Sequence, residues 1–483
     1  MSDIGPLPRS LIALPDESII GYLLRLGHRL DQAPGQLLWR AGLTPAGHFK
    51  TSKAPAQHLF MLETAQLTRF ARTTRLSERE ADRLTLRSYV RSYPPVAEAL
   101  VRPGHAARPR GVFPPWLFQA STRCCHLCLR GDGSVIQERH GGAWKRRWHL
   151  PVVFACLEHN LFLQDTCHGC RQPLQSGFPG APRSLMPAPA ARGLHPAQCR
   201  NAAEGRRHSP LCSTRLDASG RSGAELSPVS ASLQRDLLEL LEGDRAPGTA
   251  LARFSDIRVM SAIISATWPH SASLLPAGML KDAFEEHIDQ RQRRVEDGQR
   301  RHVPWSAAPQ SAVATAAMLK MADHYVRLSP DALREALAGL LARTTERKHP
   351  SWGPTWDLLR NCSPGFRRET EEALQRRFPP RLASPAELTD PLIEGRSHGY
   401  RAEQIPQELP EEWFKVFLEG SSPRPLPTSR SLRRVAALQL VQAATGVSRA
   451  EAQPHSGHSP ITSPKILTRL TTTHDGGTSQ SGI

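Results

Sequence analysis

Apolar positions recur at helical spacing from the start of the chain. Ile19, Ile20, Leu23, Leu24 and Leu30 fall on one face, Leu26 widens it, and Asp16 stands where an N-cap is wanted. A second helix is predicted near QHLFMLETAQLTRFART. After a short break comes LSEREADRLTLRSYV, where Ser77 and Glu80 are spaced as a capping box and Leu76 can staple onto the first turn. Helix, tight turn and capped helix make the outline of a helix-turn-helix within residues 1–100. Periodicity then lapses. Residues 101–170 read as loop, and 171–230 are so rich in Pro, Gly, Ala, Ser and Arg that they should be poorly ordered except where a ligand pins them.

Helical patterning returns in residues 230–453. LQRDLLELLEG ends at Gly243, a plausible stop, and SPDALREALAGLLAR opens with Ser329 at the cap and Pro330 at the first helical position. Between them EDGQRRHVPWSAAPQS reads as an exposed loop. Near the end, SLRRVAALQLVQAATGVSRAEAQPH repeats the helix-turn-helix outline with a Gly446 stop and a Ser448/Glu451 box, but Pro454 stops its second helix after about one turn. Residues 454–483 lack any periodic apolar pattern and should be disordered. The expected fold is therefore mainly α: an N-terminal helix-turn-helix-like domain (1–100), an irregular zinc-finger module with a loop-rich extension (101–215), a C-terminal helical region and a disordered tail.

The 483 residues suffice for several separate cores. Lysine and arginine exceed aspartate and glutamate by 62 to 45, giving a net charge of +17, and most of the excess is arginine. A planar guanidinium grips phosphate bidentately, so this surplus points to a nucleic-acid partner rather than a membrane surface. The opening residues carry no secretory pattern and no apolar run approaches the roughly twenty residues of a membrane span, so a cytoplasmic protein is expected.

Eight of the nine cysteines crowd between Cys124 and Cys212. In a reducing compartment that crowding argues for metal rather than disulfides. A structural zinc site takes four soft ligands, commonly as two short-spaced pairs from separate segments. Cys125 and Cys128 make one pair, and Cys156 with His159 the other. In the loop between them, WKRRWHLP, Trp144 and Trp148 should pack against the knuckle, leaving Lys145, Arg146 and Arg147 for solvent or phosphate. Cys167 and Cys170 form a third pair, for which Cys199 and Cys212 are the candidate partners and His208 a substitute. Cys124 and Cys362 read as non-ligands. Mostly thiolate ligation favours structural over catalytic Zn²⁺, and the sequence has no HExxH and no phosphate loop.

These residues resemble the TniQ/TnsD family. LPDESIIGYLLRLGHRL, with Pro15, Glu17, Ser18, Tyr22 and Arg25, is similar to that family's opening, and LTRFARTTRLSEREADRLTLRSY to its helical hairpin. The order Cys125, Cys128, Trp148, Cys156, His159, Cys167, Cys170 is similar to its zinc region. Many relatives continue with another C-x2-C, where this chain has only Cys199. The resemblance covers roughly residues 5–175. It implies a non-catalytic DNA-binding adaptor that selects a transposition target and recruits an AAA+ ATPase, which in turn brings the transposase; a homodimer is left open. The rival readings are a zinc-ribbon transcription regulator and a zinc-containing nuclease using His140, His149 and His159.

Overall fold

The structure, a computed structural model, describes residues 5–377 except 9, 45–56, 102–115, 118–120, 177–185, 206–208, 219–222, 244–246, 297–306 and 343–357, together with 405–414, 433 and 437. The described chain is mainly helical, with one two-stranded antiparallel sheet. Helix α1 spans Ile19–Leu30 and is capped by Ser18, whose Oγ accepts from Gly21 N at 3.0 Å. Asp16, the expected cap, instead adopts φ +56° and turns its carboxylate to Arg146 and Arg147. Ile19, Ile20, Leu23, Leu24 and Leu26 are buried, and so are Tyr22 and Arg25 on the other side, because α1 is enclosed on nearly all faces.

A short helix α2, Pro34–Arg40, follows with proline in its first turn. The helix predicted around QHLFMLETAQLTRFART is two pieces: α3, Gln57–Phe60, and α4, Thr64–Thr74. Gln66 accepts from Glu63 N at 3.3 Å, so the chain re-caps and starts a new helix. Helix α5 covers Glu78–Arg83, with Ser77 and Glu80 in a reciprocal capping box. It does not continue through LTLRSYV. Thr85 Oγ1 accepts from Arg87 N and opens a 3-10 turn over Leu86–Arg91, so the second helix of the hairpin has only six residues.

Helix α6, Pro94–Val101, leads to the cysteine-rich segment, which holds two short helices, α7 (His126–Arg130) and α8 (Val135–His140). Strands β1 (Ala155–Cys156) and β2 (Leu161–Phe162) pair in the register Ala155↔Phe162. Contacts cross the expected boundary near residue 100. Ser18 N donates to Trp144 O and Arg146 N to Asp16 O, both at 2.8 Å, with a bridge between Glu17 and Lys145. Gly21 is required there, since a Cβ would lie 2.8 Å from that of Trp144.

Among the described residues six further helices follow in this stretch: α9 (Pro228–Glu242), α10 (Pro247–Thr267), α11 (Met279–Glu296), α12 (Ala312–Val326), α13 (Pro330–Ala342) and α14 (Pro364–Arg377). Gly243, at φ +82°, ends α9 as expected, and Ser329 Oγ accepts from Ala332 N at the start of α13. Helix α10 packs on α12, α12 on α11, and α13 on α14. Phe254, Ile257, Met260, Ile263 and Ile264 make α10 a core helix, while Ser255, Ser265 and Thr267 return their hydroxyls to the carbonyls four residues back.

Two side chains fasten this helical layer to the cysteine-rich segment. Buried Arg123 donates to Val153 O (2.9 Å), Gln310 O (3.0 Å) and Thr315 Oγ1 (2.7 Å). Gln234 on α9 accepts from Phe154 N and Ala155 N through one oxygen. All of this lies in one compact unit, Met1–Arg377; a second unit, Phe378–Ile483, contains helix α15, Glu411–Phe414. Gly446, Ser448, Glu451, Pro454 and the tail lie outside the described residues, as does most of the loop after Glu296. Among the described residues, no helix is long and apolar enough to cross a membrane.

Candidate metal centres

The first cluster is assembled from a helix start and a hairpin. Cys125 is the N-cap residue of α7 and Cys128 lies in its first turn, while Cys156 ends β1 and His159 sits in the turn before β2. Cys128 Sγ lies 3.6 Å from Cys156 Sγ, and His159 Nδ1 is 3.5, 3.4 and 3.4 Å from the sulfurs of Cys125, Cys128 and Cys156. Zinc bonds of about 2.3 Å to sulfur and about 2.0 Å to nitrogen place tetrahedral ligands about 3.8 Å apart for two sulfurs and about 3.5 Å for sulfur and nitrogen. The four atoms therefore fit a tetrahedral divalent ion.

Crowding makes these groups compete for protons. Hydrogen bonds from Cys125 and Cys156, with burial, push the Cys128 thiol far up, whereas bonds from Cys125 and Cys128 hold Cys156 far down. A divalent cation ends that competition by binding every sulfur as thiolate. Three thiolates, one imidazole and a 2+ ion carry a net single negative charge. Lys145 stands beside them, its Nζ 2.6 Å from Glu158, whose other oxygen is 3.3 Å from Cys128 Sγ. Gly142 allows the knuckle to close, because a Cβ there would come within 2.0 Å of the Cys128 carbonyl oxygen.

Cys167, Cys170, Cys199 and Cys212 form the second cluster, their sulfurs all within 4.8 Å of one another. Cys167 and Cys170 lie on one turn. The other two lie diagonally on opposite arms of an irregular hairpin, in which Cys199 N donates to Thr214 O, Ser213 N to Cys199 O and Cys212 N to Asn201 O, with bridges Gln198↔Arg215 and Ala202↔Leu211. Cross-strand pairing thus replaces the missing C-x2-C. Cys167 Sγ is 3.8 Å from Cys212 Sγ, and Cys170 Sγ 3.9 Å from Cys199 Sγ. A hydrogen bond from Cys199 outweighs burial and holds the Cys167 thiol down to about 4. Asn201 Nδ2 donates to Cys170 Sγ, and Thr214 Oγ1 lies 3.0 Å from Cys212 Sγ. The segment expected to be poorly ordered is organised around this hairpin, while His208 lies outside the described residues.

Both four-ligand sets are complete without an open position, which suits a structural ion rather than a reactive one. The basic residues are placed otherwise than the sequence suggested. Lys145 is 9% exposed and paired with Glu158; Arg146 pairs with Asp16, donates to Thr85 O and stacks over Tyr89; Arg147 pairs with Asp16 and Glu242. Carboxylates brought in from α1's leader, from the turn after β1 and from α9 claim these charges. Trp148 is buried, and Trp144 meets it edge to face while donating to Pro196 O. His140, His149 and His159 serve three environments: His140 meets His28, His149 is buried with its pKa pushed by burial down to about 4, and His159 joins the first cluster.

Fold and site together define a mainly helical protein carrying two cysteine-rich clusters that could each hold a metal ion. Residues 8–163 match the family model described as TniQ, which runs through α1–α8 and the whole first cluster. The match supports a TniQ domain over those residues, about a third of the chain. No curated protein matches the chain.

Proposed function

We propose that the protein is a DNA-binding target-selection adaptor for transposition, which brings an AAA+ ATPase, and through it the transposase, to a chosen site. The observation that carries this reading is the TniQ domain with a closed metal cluster built into it. Zn²⁺ at both clusters would stiffen the docking scaffold. The charge of +17 supports a phosphate-bearing partner.

Since Lys145, Arg146 and Arg147 are engaged internally, phosphate contacts fall to exposed arginines such as Arg79, Arg83, Arg87 and Arg91, along α5 and the 3-10 turn after it. The helical hairpin α4–α5 then serves as the DNA-facing helix-turn-helix. Binding of duplex DNA, titrated from low to moderate salt, should weaken along a steep straight line of log affinity against log salt. Replacing those four arginines by glutamine should flatten the slope. A flat response in the unmodified protein, magnesium-dependent cleavage of the DNA, or failure to co-purify with an AAA+ ATPase encoded beside it would refute the adaptor reading.

A further inference from the structure

Away from the cysteine clusters, three histidines meet where α1, α8 and the loop ahead of Cys199 converge. His28 Nδ1 and His140 Nδ1 face each other at 3.0 Å. His195 packs edge to face on His28, the ring centres 5.2 Å apart, as are those of His28 and His140. Gly141, at φ +77°, makes room, since a Cβ there would lie 3.1 Å from His195 Cε1. His195 is 9% exposed. Its Nδ1 accepts from Ala197 N at 3.2 Å, which leaves the ring proton on Nε2, and that atom is buried without a partner. One buried donor thus lacks an acceptor on a ring packed against His28, whose Nδ1 shares a narrow gap with that of His140.

We propose that His28 and His140 ligate a divalent late-transition ion, zinc in the first instance, through their Nδ1 atoms, and that His195 Nε2–H donates to a water on that ion. Zinc–nitrogen bonds of about 2.0–2.1 Å put two tetrahedral ligands about 3.3 Å apart, close to the separation found. Burial holds all three rings below their ordinary pKa, so the lone pairs are available at neutral pH. Positive groups surround the site. Arg25 and Arg215 are neutralised by Glu17 and Asp217, Arg29, Arg139 and Arg200 oppose a cation, and Asp31, which favours one, is itself paired with Arg192. With two protein ligands and half-exposed rings at His28 and His140, this ion exchanges more readily than those at the cysteines. Its role is to pin α1 to the loops of both clusters. The proposal stands independently of the targeting function.

Cobalt titration of the metal-free full chain, with total metal counted by mass spectrometry, tests it. Two equivalents should bring thiolate-to-cobalt charge transfer from the cysteine clusters. A third, weaker one should add only ligand-field bands. His28→Gln combined with His140→Gln should remove the third equivalent and leave the charge-transfer intensity unchanged, which also reports an intact fold. His195→Phe should weaken the third equivalent about tenfold, as loss of a hydrogen bond to a metal-bound water does. The proposal is overturned if the unmodified chain shows no thiolate-free equivalent, or if that equivalent survives in the double variant.

Discussion

Glu17→Gln isolates a buried ion pair on which the N-terminal domain rests. Arg25 Nη1 reaches both Glu17 carboxylate oxygens, at 2.9 and 3.1 Å, with the two side chains 1% and 0% exposed. Leu14 N adds a third hydrogen bond to the carboxylate. Glutamine retains the shape and one acceptor but leaves the guanidinium charge buried and unopposed. Breaking a buried pair from one side costs about 3–5 kcal/mol, a factor of roughly 10²–10³ or more in the folding constant. Adding Arg25→Met removes the stranded charge, so the double variant should regain most of that loss. Urea unfolding of the zinc-saturated protein, followed through tryptophan fluorescence, reads both. Burial outweighs Arg25 and pushes the Glu17 carboxyl above its ordinary value, so the competing outcome is clear. If Glu17→Gln costs less than about 1 kcal/mol, or the double variant is no more stable than the single one, the pair does not hold the helix and the reasoning fails.

Three further outcomes are expected. Cys212→Ser should release the ion of the second cluster to a chromophoric chelator while the first retains its own; retention of both ions would remove Cys212 from the ligand set. Gly142→Ala forces the Cys128 carbonyl aside; a loss of about 1–3 kcal/mol is expected, with weaker metal binding at the first cluster in a competition assay. His149 is neutral when folded, its pKa lowered to about 4 by burial, but takes up a proton below about 6.5 when unfolded. Stability should therefore fall as pH drops from about 6.5 towards 4 and lose no more to this group below that. His149→Leu should reduce that slope relative to the unmodified protein, whose metal sites respond to acid in both; equal slopes would contradict the assignment.

Much of the local structure was legible because it depends on short spacings. The Ser77/Glu80 box and the Gly243 stop are written within four residues of the turn that each one makes, and the structure has both. Asp16 was misread as the cap because Ser18, two residues on, satisfies the same rule, and only the arrival of Arg146 and Arg147 gives Asp16 another partner. The break between α3 and α4 was missed because the apolar pattern runs through it without interruption. The His28–His140–His195 group carried no signal, its members being 112 and 55 residues apart along the chain.

By itself the sequence determined the helical class and the three short pairs, Cys125 with Cys128, Cys156 with His159 and Cys167 with Cys170, since two intervening residues bring a pair of side chains onto one turn whatever surrounds them. Only the tertiary structure decided that Cys199 and Cys212 come together, because cross-strand hydrogen bonds and not spacing set their separation. It also decided that the WKRR charges turn inward: a basic side chain goes to whichever carboxylate the fold delivers, and Asp16, Glu158 and Glu242 arrive from three separate parts of the chain.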